Sequence, residues 1–260
     1  MRMLSRLFRA ISVLVVFSFP AMADQLQDIL DSGKIRVGVI ADVAPFGFLD
    51  ENQQPAGIDI DVANLIATDL GVKLELVPLT APNRLPNLVT GKVDILVAIL
   101  SLTPERAKQI MFTAPYASTP IGVFGPSDAS VTKPEDIGDK SVGVARGTVE
   151  DLALTKLAPN AKIIRFEDNA TATTAYQTGQ VDLYATADIV AYELNKNPKS
   201  RRLDIKFSMG ADLVYMGVKM DEFGMLQWLD SFVHYHLVKG DLNDINMKWL
   251  AVPLPQMPTL

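Results

Sequence analysis

The sequence predicts a mixed α/β fold in two lobes, each a mainly parallel sheet flanked by helices, joined by two hinge crossings. Two repeated phrases predict it. Lys34-Ile35-Arg36-Val37-Gly38-Val39 returns as Lys140-Ser141-Val142-Gly143-Val144, and Thr90-Gly91-Lys92-Val93-Asp94-Ile95 returns, in the same order, as Thr178-Gly179-Gln180-Val181-Asp182-Leu183. Each Val-Gly-Val run is β-branched and apolar on both parities, as a strand covered on both faces must be. Each Thr-Gly places a helix-ending glycine before a further strand of the same kind. A third observation is the helical pattern lying between the members of each pair. Strands that alternate with helices build parallel sheets with helices on their faces.

Taken in order, residues 1–23 read as a secretory leader. Arg2, Arg6 and Arg9 precede the mostly apolar run Ala10 to Phe19, and Ala21-Met22-Ala23 offers a small-residue cleavage site, with cleavage expected after Ala23 and residence in the periplasm. The first lobe is expected over residues 24–124. Within it, Ile60, Ala63, Leu65, Ile66 and Leu70 recur at helical spacing and stop at Gly71. Gly125-Pro126-Ser127-Asp128 breaks the chain after the strand-like Ile121 to Phe124, so the second lobe is expected over 125–210, with a helix from Ala170 to Gln177. Met209-Gly210-Ala211-Asp212 marks the return crossing. Residues 211–260 then supply a strand from Leu213 to Val218, helical segments around Leu226, Leu229, Phe232 and Val233 that pack back on the first lobe, and a frayed tail from Met257.

Composition narrows the function classes. The chain of 260 residues carries a formal net charge of −6 and no cysteine. Without the leader's arginines it becomes more acidic still, which argues against a nucleic-acid partner. No later stretch is apolar for long enough to span a bilayer. Export without cysteine leaves burial alone to hold the lobes together.

In parallel α/β sheets, ligands sit beyond the carboxyl ends of the strands, against helix N-termini. Ser101-Leu102-Thr103-Pro104-Glu105-Arg106 lies at such a place, after the strand ending at Leu100. Thr103 can cap a helix and Pro104 suits its first turn. Arg106 would then sit at the positive end of the dipole, where a cation is unfavourable. A bound carboxylate would offset that cost and accept two parallel hydrogen bonds from the guanidinium; pairing with a nearby Asp or Glu is the alternative. In the second lobe, Arg146-Gly147-Thr148 follows the strand Val142 to Ala145. Thr148 with Asp151 approximates a capping box, and Gly147 permits close approach of backbone to a ligand.

These segments resemble the bacterial extracellular solute-binding proteins of family three, the amino-acid receptors of ABC importers. The resemblance is carried by Pro45-Phe46-Gly47-Phe48, Gly57-Ile58-Asp59-Ile60-Asp61, Gly91-Lys92-Val93-Asp94, Thr103-Pro104-Glu105-Arg106, Phe112-Thr113-Ala114-Pro115-Tyr116, Val142 to Thr148 and Gly179-Gln180-Val181-Asp182. It implies a type II periplasmic-binding-protein fold that closes around its ligand. It further implies that Arg106 and Thr148 hold an α-carboxylate, with Ser101, Gly147 and the backbone at Ile99 assisting, and that Phe46 and Val43 lie beside the ligand. The acid that receives the ammonium in such proteins falls here on Ala187, with Asp188 one residue later. A bulge at the strand end could bring Asp188 into place. Val43 and Ala81-Pro82 stand where aromatic residues are usual, and Arg84 reads as a solvated helix charge or as a contact for a polar ligand.

Enzyme chemistry finds less support. His234 and His236 do not share one face of a helix, and no cysteine completes a metal site. There is no Gly-x-Ser-x-Gly elbow. The expectation is therefore a non-enzymatic monomeric receptor, without metal, cofactor or nucleic acid, that captures a small carboxylate-bearing solute, an amino acid above all, for the membrane subunits of an ABC importer. The alternatives are a cyclohexadienyl or arogenate-type dehydratase, with Glu150 or Asp188 as acid, and a receptor serving a sensor or an oxidoreductase system.

Overall fold

A computed structural model describes residues 24–258; the expected leader and the last two residues lie outside them. Helix α1 (Gln25–Ser32) and strand β1 (Lys34–Ile40) are followed by a small hairpin of β2 (Phe48–Leu49) and β3 (Pro55–Ala56). Helix α2 (Ile58–Leu70), strand β4 (Lys73–Leu79), helix α3 (Arg84–Val89) and strand β5 (Ile95–Ser101) complete the first run. The long strand β6 (Ile110–Gly125) leads to β7 (Ser141–Ala145), α4 (Val149–Leu157), β8 (Lys162–Phe166), α5 (Asn169–Gln177), β9 (Leu183–Ala187) and α6 (Asp188–Asn195). The equally long β10 (Asp204–Lys219) returns to α7 (Phe223–Lys239) and α8 (Asp241–Leu250).

The strand order is β4-β1-β5-β10-β6-β9-β7-β8. β1 pairs in parallel with β4 and β5 in one lobe, and β7 pairs in parallel with β8 and β9 in the other. Between them β6 and β10 run antiparallel over almost their whole length and belong to both lobes. Ile121 to Phe124, ahead of the Gly125-Pro126 break, pair with β9. The crossings are thus continuous strands rather than loops.

The repeated phrases perform the same work in each lobe. A Cβ on Gly38 would come within 2.7 Å of Leu79 and 2.8 Å of Leu96, and one on Gly143 within 2.9 Å of Val181. Both glycines keep a central strand close to the side chains that cover it. Asp94 accepts the Arg36 N–H at 2.7 Å, and Asp182 accepts the Ser141 N–H at 2.8 Å, so each aspartate pins the start of a β5-type strand to the start of its β1-type neighbour.

Helix α7 packs Met225, Leu229, Phe232 and Val233 into the first lobe's core with Ile95, Val214 and Val218. His236 is buried there, its ring nitrogens 2.6 Å from Asp241 Oδ2 and 2.8 Å from Asp69 Oδ2, and so ties α7 to α8 and α2. The tail that the sequence reading expected to fray keeps Met257 buried.

Candidate functional site

The carboxyl end of β5 faces the carboxyl end of β9 and the N-terminus of α4 across a cleft between the lobes. Its walls are drawn from Ile40, Val43, Ala81 and Ile99 on one side and Thr148, Val149, Thr186 and Ala187 on the other, with Arg84, Glu150 and Asp212 supplying charge. No aromatic side chain belongs to this lining, in keeping with Val43 and Ala81 at the positions where the resemblance led one to expect rings. The lobes are in contact: a Cβ on Gly147 would lie 3.6 Å from Pro82 Cα. The void left inside is about 30 Å³, room for a water or two. A ligand enters only when the lobes part.

Arg106 is buried at 7% exposure, yet no helix starts at Thr103. The Thr103 hydroxyl does accept the Arg106 N–H at 3.2 Å, but the segment is a single 3₁₀ turn, Arg106–Lys108, before β6 begins. The expected conflict with a helix dipole therefore does not arise. The guanidinium instead donates to the Ser101 carbonyl at 2.7 Å and to the Gly147 carbonyl at 2.8 Å, bridging the lobes. Burial lowers its pKa, against the opposing pull of Asp212 and Glu150.

Thr148 caps α4, accepting the Asp151 N–H at 3.2 Å and donating to the Ala145 carbonyl at 3.0 Å. Its hydroxyl is thus employed in the cap, while the first-turn N–H groups of a helix have no intrahelical acceptor. The third-position acid closes a different ring from the one a capping box requires: Asp151 accepts the Gly147 N–H at 3.2 Å. Gly147, at φ +71°, turns its carbonyl toward Arg106.

Of the expected ligand residues, Val43, Ile99, Ser101 and Thr148 line the cleft, Arg106 and Gly147 stand beside its wall, and Phe46 and Asp188 lie elsewhere. Phe46 is fully buried in the first lobe's core, where its carbonyl accepts the Asp59 N–H at 2.8 Å, and it forms no part of the cleft wall. Asp188 begins α6 with no bulge before it; its carboxylate accepts from the Thr119 hydroxyl at 3.1 Å and lines a separate hollow with Tyr192, Asn246 and the 250–255 segment. Ala187 is the residue of that pair in the cleft.

Arg84, read as a solvated charge, is 3% exposed. It donates to the carbonyls of Ala81, Ala98 and Ile99 at 3.1, 2.8 and 2.9 Å. Burial, with Arg106 nearby, pushes its pKa down to about 9 despite Glu150, Asp59 and Asp212. Ile99 itself holds φ +43°, a conformation that costs a β-branched residue on the order of 1–3 kcal/mol. It is fixed from both sides. Its N–H donates to Asp59 at 2.9 Å, its carbonyl takes Arg84, and Asp59 also accepts from the Tyr116 hydroxyl at 2.6 Å. Burial raises the Asp59 carboxyl to about 7, against those two donors and Arg84.

Asp212 was not singled out as a site residue by the sequence. It stands on β10 and accepts from the Ser101 hydroxyl. Burial raises its pKa, as it does that of Glu150 on α4. None of Arg84, Arg106, Glu150 and Asp212 is among the ion pairs of the described residues. The cleft wall carries one cation, Arg84, and two carboxylates, while Arg106 stands beside the wall, outside its lining, bonded to the Ser101 and Gly147 carbonyls. Across the cleft mouth, Asp42 accepts the N–H groups of Asn169 and Ala170 at 2.8 and 3.2 Å, a second bridge between the lobes. Among the described residues no group of three or more His, Asp or Glu side chains is arranged to hold a metal ion, and no helix is long and apolar enough to cross a membrane.

Comparison with known proteins gives a consistent picture. The sequence pattern of the bacterial extracellular solute-binding proteins, family 3, matches residues 35–252. The ABC transporter glutamine-binding protein GlnH of Bacillus subtilis is 28% identical over 87% of this chain and 85% of its own length. The cyclohexadienyl dehydratase of Pseudomonas aeruginosa is 32% identical over 73% of this chain and 72% of its own. Among solved structures, the cysteine-binding protein of Campylobacter jejuni superposes with a TM-score of 0.82 at 28% identity, covering 87% of this chain and 93% of that one.

Proposed function

Because the chain belongs to the bacterial extracellular solute-binding proteins, family 3, we propose that it captures a small amino acid between its lobes and delivers it to an ABC importer. The observation that carries this reading is Arg106. It is a buried guanidinium with no carboxylate partner among the described ion pairs, and it is positioned beside Ser101 of one lobe and Gly147 of the other. A ligand carboxylate reaching Arg106 would also meet the N-terminus of α4, where Thr148 forms the cap and N–H groups are available. Contacts drawn from both lobes stabilise the closed arrangement, and the ligand shifts the hinge equilibrium by its differential affinity for the two states. The paired strands β6 and β10 serve as the hinge, with lobe one formed by residues 24 to about 120 and the return from about 211. The names of the binding-protein relatives support an amino acid as ligand, and those of the family support an extracytoplasmic site of action.

The test is calorimetric titration of wild type and Arg106→Ala with each L-amino acid that raises the melting temperature of the wild type. Loss of a buried charge partner costs about 2–5 kcal/mol, so at least a hundredfold weaker binding is expected. Unchanged affinity would remove Arg106 from the site.

The dehydratase relative gives a second reading a specific handle, since Glu150 is an acid of raised pKa within the cleft. The receptor reading expects no release of carbon dioxide from prephenate at micromolar protein. Turnover that disappears in Glu150→Gln would replace it with the enzyme reading.

A further inference from the structure

We infer that Asp212, on the hinge strand β10, is the acceptor for the α-ammonium group of the ligand, so that both charged ends of an amino acid are read from the first lobe and its hinge. The inference rests on the receptor reading and adds the source of amino-group recognition.

An ammonium ion inside a closed cleft needs an anionic acceptor, because burying it unpaired is prohibitive. Two acids line the cleft, Glu150 and Asp212. The end of β9 contributes Thr186 and the methyl group of Ala187, neither of them an anion, and the carboxylate of Asp188 accepts from Thr119 and lines another hollow. Glu150 sits in the first turn of α4, where a carboxylate already has a structural reason to be, facing the positive end of the helix dipole. Asp212 is at no helix terminus, and although it faces the charges of Arg106 and Arg84 it is ion-paired with neither among the described residues. It is a carboxylate in the middle of a strand, turned inward, half-buried, and satisfied by the single hydroxyl of Ser101.

The geometry of the strand explains how it gets there. Asp212 pairs with Thr119 of β6, and the register of β10 slips on either side of it, between Ser208 and Gly210 and again between Val214 and Tyr215. Such irregularities re-aim side chains. Gly210, at φ +111°, makes the first of them possible. The same slips place Asp212 at the crossing between lobes.

Ser101 then links the two ends of the ligand. Its hydroxyl donates to Asp212, and its carbonyl accepts from Arg106. An amino acid inserted with its carboxylate toward Arg106 and its ammonium toward Asp212 would set each of its charges against the opposite one. Ser101 is free to turn its hydroxyl to the carboxylate once the ammonium occupies Asp212. Recognition of both groups precedes closure, and the second lobe adds Gly147, Thr148 and the α4 N-terminus.

The experiment is isothermal titration of the wild type, Asp212→Asn and Asp188→Asn with the L-amino acid that stabilises the wild type most, and with its 2-hydroxy acid counterpart. Asn keeps the shape and the hydrogen bond to Ser101 while removing the charge. The expected results are a preference of at least a hundredfold for the amino acid in the wild type, a drop of at least fiftyfold in amino-acid affinity in Asp212→Asn, and no more than a threefold change in Asp188→Asn. Amino-acid binding by Asp212→Asn within threefold of wild type overturns the inference and leaves the receptor reading standing. So does a wild type that binds the hydroxy acid as tightly as the amino acid, a result that needs no variant to fold. If neither amino acids nor hydroxy acids bind the wild type, the receptor reading fails and the inference with it.

Discussion

The two lobes share a scaffold and differ at the strand ends. Val37-Gly38-Val39 and Val142-Gly143-Val144 both form central strands whose glycine admits a covering side chain, and Asp94 and Asp182 make the same backbone contact at 2.7 and 2.8 Å. Beyond the strands the likeness stops. β5 ends at Ser101 and turns through Arg106, leaving a hydroxyl in the cleft and a guanidinium beside its wall. β9 ends at Ala187 and enters α6 at once, taking Asp188 out of the cleft. Packing constrains the repeated residues because every neighbour touches them. The strand ends are free to vary, and ligand chemistry collects there.

The strongest way to break the comparison is at Asp59, a device the first lobe has and the second lacks. Asp59→Ala leaves the Ile99 N–H and the Tyr116 hydroxyl without their acceptor, at about 1–3 kcal/mol for each buried group. A loss of about 2–4 kcal/mol is expected in urea unfolding, with the second lobe's own hydrogen-exchange protection less affected. Asp59 also makes the first lobe sensitive to pH. Its carboxyl titrates at about 7 in the fold and near 3.9 in an unfolded chain. The fold therefore binds the proton more tightly. The associated stability is complete below about pH 4 and is lost as the pH rises through about 7, on the order of a few kcal/mol. Unfolding at pH 5, 6, 7 and 8 should show this decline, and Asp59→Asn should flatten it; a slope unchanged in that variant would assign it to other groups.

The shared scaffold makes a smaller and symmetrical prediction. Gly38→Ala and Gly143→Ala each force a Cβ to within 3 Å of covering side chains, and overpacking of this kind costs about 1–3 kcal/mol. Comparable falls in chemical stability would sharpen the account of a repeated device. A neutral Gly143→Ala beside a damaging Gly38→Ala would show that the repeat is one of sequence alone. Smaller again is Gly147→Ala, which places an ordinary residue at φ +71° and near Pro82. The left-handed conformation costs it about 1 kcal/mol, so affinity for the ligand should weaken by several-fold, visible as faster dissociation in stopped-flow fluorescence.

The sequence made the scaffold legible because burial on both faces leaves an apolar run, and because helix ends need glycine: Gly71 at φ +67° stops α2 where the periodicity stops. It concealed the hinge. Ser118, Thr119 and Pro120 interrupt the apolar pattern of β6, and strand pairing with β10 overrides that interruption. It also overstated the helix at Thr103, since the cap and proline are present but β6 claims the chain from Ile110. Arg84 could not be placed from its neighbours in sequence, because three carbonyl acceptors, two of them more than ten residues away, decide its burial. Asp212 carries no local signal at all. Its position follows from register slips in a strand, and register is a property of the partner as much as of the chain.

The central claim is that the cleft is built for a zwitterion with a carboxylate end. The most direct measurement is the melting temperature of ligand-stripped protein against the twenty L-amino acids, each at millimolar concentration. A ligand at a hundredfold excess over its Kd adds about 2.7 kcal/mol to stability. The account predicts that one amino acid, or a small group of similar ones, raises the melting temperature by several degrees in the wild type and fails to do so in Arg106→Ala. A flat response to all twenty, with prephenate or another carboxylic acid stabilising the protein instead, would contradict it.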